Sequence, residues 1–526
     1  MKLLLSLKSV TALLFIILLA GSSFGASHFP MQYAVGKSGE VSFLQDTLNR
    51  AQDQDTLNRV QDTVKMGDQK LIKDLKSDSG FLYKDLEIRN TFKKPHYAEE
   101  PVREKKFWRA SAEWFLAQAV PASVNYFIRK DPYSHISFKN FFNHQRFSAW
   151  DWDDNQFTTN QIDHPYHGNL YFNAFRSNGY NLWQSSIATV VGSYIWETGG
   201  ETQAPSINDF VNTSFAGILV GEMTHRVSRN IIARIGRTDN KRGNEITAFL
   251  VNPVNGINRW LDGKWGTADD YYLADSSVIV GAVDLGVKRL DSKSGDLIEK
   301  GKNAYFLRFR FFYNDGEHRL KRPFDQFSVN MEVGSGDSTF IQAVNVHALM
   351  YGHEFFETNN GQYYGLLTAH YDFYNNDAFF YGAQSLNYNL EAKYSYKKSQ
   401  LRLRAAGGAV VLGAVPDPYL LYGDSRNYNY GSGLSYRFQG DMNIGKRLLL
   451  NVDYNGGVFF TLSGNDSNYT LNALSLESSL RVYKNFTLNA SGGYFSLHGH
   501  FDDPELADYN REYPFARLSV GYSILF

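Results

Sequence analysis

The sequence contains no cysteine. Disulfide bonds, thiolate metal sites and thiol nucleophiles are therefore excluded. A lipoprotein anchor is excluded as well, because its lipid is carried by a cysteine at the cleavage site. The formal net charge is −1, so bulk electrostatics give no reason to expect a nucleic-acid partner.

Long apolar runs are also scarce. After the first 26 residues, no apolar stretch reaches the roughly 20 residues that a membrane-spanning helix needs. Aromatic residues are plentiful, with 34 Tyr and 39 Phe. These averages fit an exported soluble β-protein as well as a membrane barrel, so the order of the residues has to decide between them.

The N-terminus has the order of a secretory signal peptide. Lys2 and Lys8 carry positive charge, residues 10–20 are almost wholly apolar, and small residues follow up to Ala26. The apolar run is too short for a stable membrane span, which disfavours the alternative of an N-terminal anchor. We predict a cleaved signal peptide over residues 1–26 and export in a Gram-negative bacterium.

A polar lead-in follows the signal peptide. Residues 27–100 mix acidic and basic side chains without an apolar period, and QDTLNR occurs twice, at 45–50 and 54–59. This composition predicts a disordered periplasmic segment.

Residues 101–240 are expected to form a helical domain. The stretches 171–196 and 206–234 are rich in small and apolar residues without a period of two, which predicts two long helices. Gly217 and Gly221 form a small-xxx-small pair that would let such helices pack closely.

The pattern changes to a period of two at about residue 275. The last strand shows it best: apolar residues occupy every second position from Ala516 to Phe526, and Arg517 and Ser519 lie between them. We predict a mainly β fold, a transmembrane antiparallel β-barrel of about 12 strands over residues 275–526. The helical hairpin would either plug this barrel or pack on it.

The final strand resembles the C-terminal strands of bacterial outer-membrane barrels, which commonly end in an aromatic residue. This resemblance implies that Tyr522, Ile524 and Phe526 form the insertion signal. It also implies that the partners are outer-membrane lipid and the barrel assembly machinery, and that the location is the cell outer membrane.

The densest polar cluster of the sequence lies between residues 163 and 225. Its candidate site residues are His164, His167, Asn173, Arg176, Glu197, Glu201, Ser206, Asn208, Asp209 and Glu222. Because buried charge is costly unless it is paired, these residues are expected to pair with one another or to line a wet surface.

Three interpretations of this cluster remain open. It could be a structural network, a binding site for a lipid headgroup or a small polar solute, or a hydrolase or metal site. His164 and His167 could be metal ligands with Glu197 or Glu201, but Pro165 interrupts a helix there and no H-E-x-x-H spacing occurs. No metal and no cofactor are therefore predicted. A triad of Ser206, His164 and Asp209 is conceivable, although spacing alone does not establish it.

Several motifs in this region resemble one bacterial family. The runs HPYHGNLYFNAFRSNGY, SYIWETGGE, SINDF and GILVGEMTHR are similar to a family known only as domain of unknown function number 3943. The resemblance covers residues from about 105 to 235. It implies an envelope location and no established activity.

Three classes of function follow. The first is a structural or solute- or lipid-binding component of the envelope, without enzymatic activity. The second is a channel or transporter. The third is an enzyme that modifies envelope lipid, a hydrolase or transferase, using the polar cluster. The absence of any catalytic spacing favours the two non-enzymatic classes, and the first is the main prediction.

Overall fold

A computed structural model describes residues 103–525, apart from 131, 136, 237–239, 276, 294–295, 316–319, 338, 424 and 446. Three expectations lie outside the described residues: the signal peptide over 1–26, the polar segment over 27–100 and the terminal Phe526. The described chain begins with helices and ends with strands.

Helices continue to Leu273, beyond the predicted end at residue 240. The α-helices are α1 (Phe107–Ser123), α2 (Phe138–His144), α3 (His164–Arg176), α4 (Leu182–Gly199), α5 (Ile207–Val211), α6 (Gly217–Ile235), α7 (Lys241–Val251), α8 (Pro253–Leu261) and α9 (Asp270–Leu273). π-Helical turns extend α1 at Val124–Arg129, lead into α3 at Thr159–Asp163 and join α5 to α6 at Asn212–Ala216. Short 3-10 turns lie at Pro132–Ser134 and Phe147–Ala149. We call residues 103–275 the helical domain.

The stretch 171–196, which the sequence predicts as one helix, forms parts of two. α3 and α4 are separated by a turn in which Gly179 has a φ of 90°. A Cβ at Gly179 would lie 2.5 Å from the backbone oxygen of Glu104, so the turn requires glycine. Asn181 then caps α4 in a capping box with Gln184. The predicted hairpin is therefore a bundle of α3, α4 and α6.

The two glycines of the small-xxx-small pair lie where α6 meets α3. A Cβ at Gly217 would be 2.6 Å from the Cα of Gly168, and a Cβ at Gly221 would be 2.6 Å from the ring of Phe172. Gly168 meets Gly217 and Asn173 meets Gly221, so α3 and α6 run parallel. The two backbones can approach closely because glycine has no side chain at these positions.

Twelve strands close into an antiparallel barrel, as predicted. They are β1 (Val278–Leu290), β2 (Lys302–Asn314), β3 (Gln326–Gly334), β4 (Ile341–Glu357), β5 (Gly361–Asn375), β6 (Phe380–Tyr396), β7 (Ser399–Pro416), β8 (Tyr428–Ile444), β9 (Leu448–Ser463), β10 (Ser467–Tyr483), β11 (Phe486–Phe501) and β12 (Tyr509–Leu525). Each strand pairs with its sequence neighbour, and β1 pairs with β12 to complete the ring. We call the rim where β1 begins and β12 ends the terminal rim, and the other rim the opposite rim.

Ion pairs identify the inner face of the wall. Arg310 on β2 donates to Glu477 on β10, with 2.7 Å between Nη1 and Oε1. Arg517 on β12 lies 3.0 Å from Glu332 on β3. Neither pair joins neighbouring strands, so these side chains reach over intervening strands on the concave side. Over the middle of the barrel the polar residues of the strands therefore line the lumen, and the apolar residues alternating with them face outward. Nearer the opposite rim, the lumen positions are apolar, and Leu471, Leu497 and Phe515 belong to one buried cluster there.

The outward face is apolar and largely exposed wherever the helices do not cover it. On β12, Leu518 and Val520 are 63% and 51% exposed, and Leu434 on the uncovered part of β8 is 62% exposed. Exposed aromatic residues gather at the terminal rim, for example Tyr396 and Tyr483. Among the described helices, none is long and apolar enough to cross a membrane.

The helical domain packs on the outer wall of the barrel, and this resolves the two placements left open by the sequence. The side chain of Gln384 on β6 donates to Asn212 Oδ1 at 2.7 Å, and the hydroxyl of Tyr371 on β5 donates to the backbone oxygen of Gln161. Gln384 pairs with Tyr371 across the sheet and belongs to the outward set, whereas its neighbour Ser385 belongs to the lumen set. The apolar part of the contact joins Phe157, Ala216, Leu219 and Met223 to outward residues of β1 to β5, β7 and β8.

Candidate functional site

Six of the ten predicted site residues come together beside the opposite rim. They are His164, Glu197, Glu201, Ser206, Asn208 and Asp209, and we call them the acidic cluster. The Nε2 atom of His164 lies 3.4 Å from Asp209 Oδ1, and its Nδ1 atom lies 3.2 Å from the hydroxyl of Thr213. Residues from the start of α3, the end of α4 and α5 thus meet at one point.

Backbone and amide groups hold the carboxylates in place. The backbone N–H of Ser206 donates to Glu197 Oε2 at 2.8 Å, and the amide of Asn208 donates to Asp209 Oδ1 at 2.8 Å. Glu197 and Asp209 are 6% and 4% exposed. The ligand atoms of His164, Glu197 and Asp209 all lie within 4.8 Å of one another.

The electrostatics of the acidic cluster are unbalanced. Burial raises the pKa of Glu197 well above its usual value, and neighbouring Asp209 and Glu201 raise it further. Burial likewise raises the pKa of Asp209, and it raises the pKa of Glu201 to about 7. In the described part of the chain, no arginine or lysine forms an ion pair with these three acids. A proton or a bound cation would relieve the repulsion among them.

Three of the remaining predicted residues, Asn173, Arg176 and Glu222, make satisfied polar contacts nearer the terminal rim. Glu222 accepts from Arg176 at 2.7 Å and from Arg226 at 2.8 Å, and these two arginines hold its pKa below the usual value despite complete burial. Asn173 donates to Asn169 and accepts from Asn252, both across short distances of 2.8 and 2.7 Å. This network suits the structural interpretation of the cluster.

His167, one helical turn after His164, has different partners. Its Nε2 atom is 2.9 Å from the backbone oxygen of Ala117, and its ring packs against Tyr171 and Trp196. Burial lowers its pKa to about 4, so the imidazole is neutral and its Nε2–H donates to Ala117. The structure therefore does not bring the two histidines together as a ligand pair.

The conceivable triad is not assembled either. The hydroxyl of Ser206 donates to Asn208 Oδ1 at 3.0 Å and accepts the backbone N–H of Asp209, which makes Ser206 the N-cap of α5. His164 instead contacts Asp209 and Thr213. Ser206 thus caps the N-terminus of α5 and is not positioned as a nucleophile.

Three residues that border the acidic cluster were missed by the sequence analysis. The hydroxyl of Tyr430 accepts from Asn208 at 2.9 Å and from Asn160 at 2.8 Å. Asp153 accepts from the amide of Asn160 at 2.9 Å, and its charge raises the pKa of Asp209. Asp153 belongs to the run DWDD at 151–154, which was a local signal of acidity, whereas nothing local connects Tyr430 to a site 222 residues away.

The lumen holds a second group of candidate ligands, His347, His370 and Asp372. The rings of the two histidines stack with centroids 3.9 Å apart, and His347 Nε2 lies 3.0 Å from Asp372 Oδ1. The guanidinium of Arg437 stands 3.0 Å from the other nitrogen of His347. A positive charge is therefore already present at this group, unlike at the acidic cluster.

The fold and the two polar groups define the class of this protein: a closed 12-stranded β-barrel that carries a helical domain on its outer wall. Residues 149–254 match the family described as "Domain of unknown function (DUF3943)", which confirms the predicted resemblance and places it within the helical domain. No curated protein matches the chain.

Solved structures similar to this chain are barrels. The NanC porin is 12% identical, with 45% of this chain and 98% of that chain covered and a TM-score of 0.26. The toluene transporter TodX of Pseudomonas putida is 8% identical, with 48% and 90% covered and a TM-score of 0.21. The anion-selective porin of Comamonas acidovorans is 9% identical, with 47% and 99% covered and a TM-score of 0.21. Similarity at these values supports no conclusion about the activity of this protein.

Proposed function

We propose that this protein is an outer-membrane component of a Gram-negative cell envelope, exported through its signal peptide and inserted by its barrel. The supporting observation is the outward face of the wall, where large apolar side chains such as Leu434 and Leu518 are more than half exposed. Surfaces of this kind are stable in lipid and not in water. The aromatic residues at the terminal rim suit the boundary between the acyl chains and the headgroups.

The barrel is proposed to act as a structural or ligand-binding component rather than an open channel. Ion pairs occupy its lumen: Arg308 and Arg310 pair with Glu477, and Arg404 pairs with Glu391. A polar cavity inside measures about 220 Å³, and Arg308, Arg310, Arg404 and Glu477 are among the residues that line it. The channel alternative would require this network to open.

Two measurements on the full chain test this proposal. The protein should fractionate with outer membranes and migrate faster on a gel when it is not boiled. In planar bilayers, the wild type should show no steady conductance, whereas removing the network with Arg310→Ala and Glu477→Ala together should produce one. A soluble periplasmic protein would contradict the membrane proposal, and steady wild-type conductance would favour the channel.

A second candidate function is the binding of a divalent cation at the acidic cluster. The spacing of these residues in the sequence predicts no metal site. The fold, however, brings ligand atoms of one imidazole and two carboxylates to within 4.8 Å of one another, and no arginine or lysine of the described chain forms an ion pair with these carboxylates. Nitrogen and carboxylate ligands together suit Zn²⁺ or Mn²⁺. Thr213, beside His164 Nδ1, would fix the tautomer that presents Nε2 to the ion.

Calorimetric titration of the purified protein in detergent with ZnCl₂ or MnCl₂ tests this second candidate. Asp209→Asn should abolish binding, and Asp372→Asn should leave it unchanged, because Arg437 already supplies positive charge at the lumen group. Binding that survives Asp209→Asn, or no binding by the wild type, would contradict it.

A further inference from the structure

The helical domain has its polar residues inside and its apolar residues outside. α4 shows this most clearly: its buried face carries Ser185, Thr189, Ser193 and Glu197. The opposite face presents a stripe of large apolar side chains at helical spacing. The stripe consists of Trp183, Ile187, Val191 and Ile195, which are 62%, 65%, 44% and 38% exposed. A helix on the surface of a water-soluble domain has the reverse arrangement.

The same inversion recurs on other elements of the domain. On α1, Trp108 and Phe115 are 83% and 63% exposed, while Gln118 faces inward and donates to the backbone of α4. The turn after α1 exposes Phe127 and Ile128, at 71% and 75%. These side chains form one broad apolar surface on the side of the domain away from the barrel, much larger than scattered apolar residues on a soluble protein.

Contacts with the barrel place the domain along the height of the wall. Near the opposite rim, Arg426 donates to the backbone oxygen of Asp153 at 3.0 Å. Near the terminal rim, Asn230 donates to the backbone oxygen of Ser277 at 2.8 Å, just before β1. The domain therefore stands beside the wall from rim to rim, and its apolar surface continues the apolar band of the uncovered strands.

We propose that the helical domain is embedded in the bilayer beside the barrel, with the acyl chains of the lipid as the occupant of its exposed apolar surface. This proposal rests on the proposed membrane insertion of the barrel and extends it to the helices. Lipid covers the outer side of α1 and α4, and the wall of the barrel covers the inner side of the domain. The hydroxyls and the carboxylate of α4 lie on its buried face, so the hydrocarbon meets few polar groups there.

The distribution of tryptophan makes this proposal directly testable. All 8 tryptophans of the chain lie in the helical domain, at positions 108, 114, 150, 152, 183, 196, 260 and 265, and the barrel has none. Intrinsic tryptophan emission therefore reports on the helical domain alone. We would reconstitute the full chain into phosphatidylcholine vesicles with and without bromine on the acyl chains, because bromine quenches tryptophan on contact.

Brominated lipid should quench the emission, and Trp183→Phe should reduce the quenched part because Trp183 stands in the exposed stripe. The matched control is Trp152→Phe, since Trp152 stacks on Tyr430 at the contact with the barrel and should contribute to the unquenched part. Unchanged emission in brominated lipid, or iodide quenching that Trp183→Phe removes, would overturn the proposal. Gel migration of the unboiled protein is measured in parallel. If the barrel is inserted while the tryptophans of the helical domain stay unquenched, only the placement of the helices is refuted. If the barrel never inserts, the proposed function is refuted.

Discussion

The contact between α3 and α6 makes a quantitative prediction for Gly217→Ala. The new Cβ would lie 2.6 Å from Gly168 Cα and 2.8 Å from Gly168 C, both backbone atoms that cannot rotate away. An ordinary contact of this kind is about 3.5–4.0 Å, so the two helices must separate by on the order of 1 Å. Overpacking costs about 1–3 kcal/mol, whereas alanine is favoured over glycine in a helix by about 1 kcal/mol. We expect a net loss of roughly 0–2 kcal/mol, and a larger loss for leucine.

The assay is denaturant unfolding of the purified protein in detergent, followed by tryptophan emission. Gly199→Ala is the matched control, since its Cβ would meet only the ring of Phe141, at 3.2 Å, and a ring can shift. Equal stability of the Gly217 and Gly199 variants would refute the argument that the missing side chain at Gly217 sets the distance between α3 and α6.

Three further predictions concern charge. Glu222→Gln should cost roughly 3–5 kcal/mol because it leaves two buried arginines without this carboxylate, whereas Arg176→Met should cost less because Arg226 still pairs with Glu222; the double variant should cost less than the sum of the two, and additive losses in the unfolding assay would contradict the pairing. Burial raises the pKa of Glu113 from 4.5 to about 7, so its stability contribution is lost as the pH rises through this window. Glu113→Gln should therefore raise Tm at pH 8 and not at pH 4.5, and an equal effect at both values would count against it. Tyr522→Asp faces outward and should impair membrane insertion by about 2 kcal/mol or less, because acids cost less than basic residues and the cost falls toward the rim, whereas Ser519→Asp faces the lumen and should matter less; equal tolerance in outer-membrane fractions would mean that the faces are reversed.

The barrel could be predicted from the sequence because its wall has two different sides. Arg308 and Arg310 point into the lumen while Phe309 and Phe311 point outward, and this alternation is local to β2. Strand periodicity therefore predicts the fold class, and no knowledge of distant contacts is needed.

The position of the helices could not be predicted in the same way. Outward residues that touch the helical domain, such as Phe311 and Val346, are apolar like the exposed Leu285 and Leu518. Protein and lipid select the same side-chain chemistry here, so no local pattern distinguishes a covered strand from a bare one.

The candidate site was predicted in composition but not in arrangement. The sequence places Arg176 near Glu197 as readily as near Glu222, and the fold pairs it with Glu222. His164 and His167 are close in sequence, yet one joins the acidic cluster and the other packs against Trp196. Which side chains meet depends on the turn at 177–181 and on the parallel packing of α3 and α6, both of which are tertiary features.

One cross-linking measurement tests the central claim, that the helical domain lies on the outer wall of the barrel. Because the chain has no cysteine, a pair can be introduced without background. The amides of Asn212 and Gln384 are 2.7 Å apart, whereas Ser385, the next residue, points into the lumen. With a short thiol-specific bifunctional cross-linker, Asn212→Cys with Gln384→Cys should form a cross-link that changes gel migration, and Asn212→Cys with Ser385→Cys should not. A cross-link to position 385 but not to 384 would place the helices inside the barrel and contradict the account.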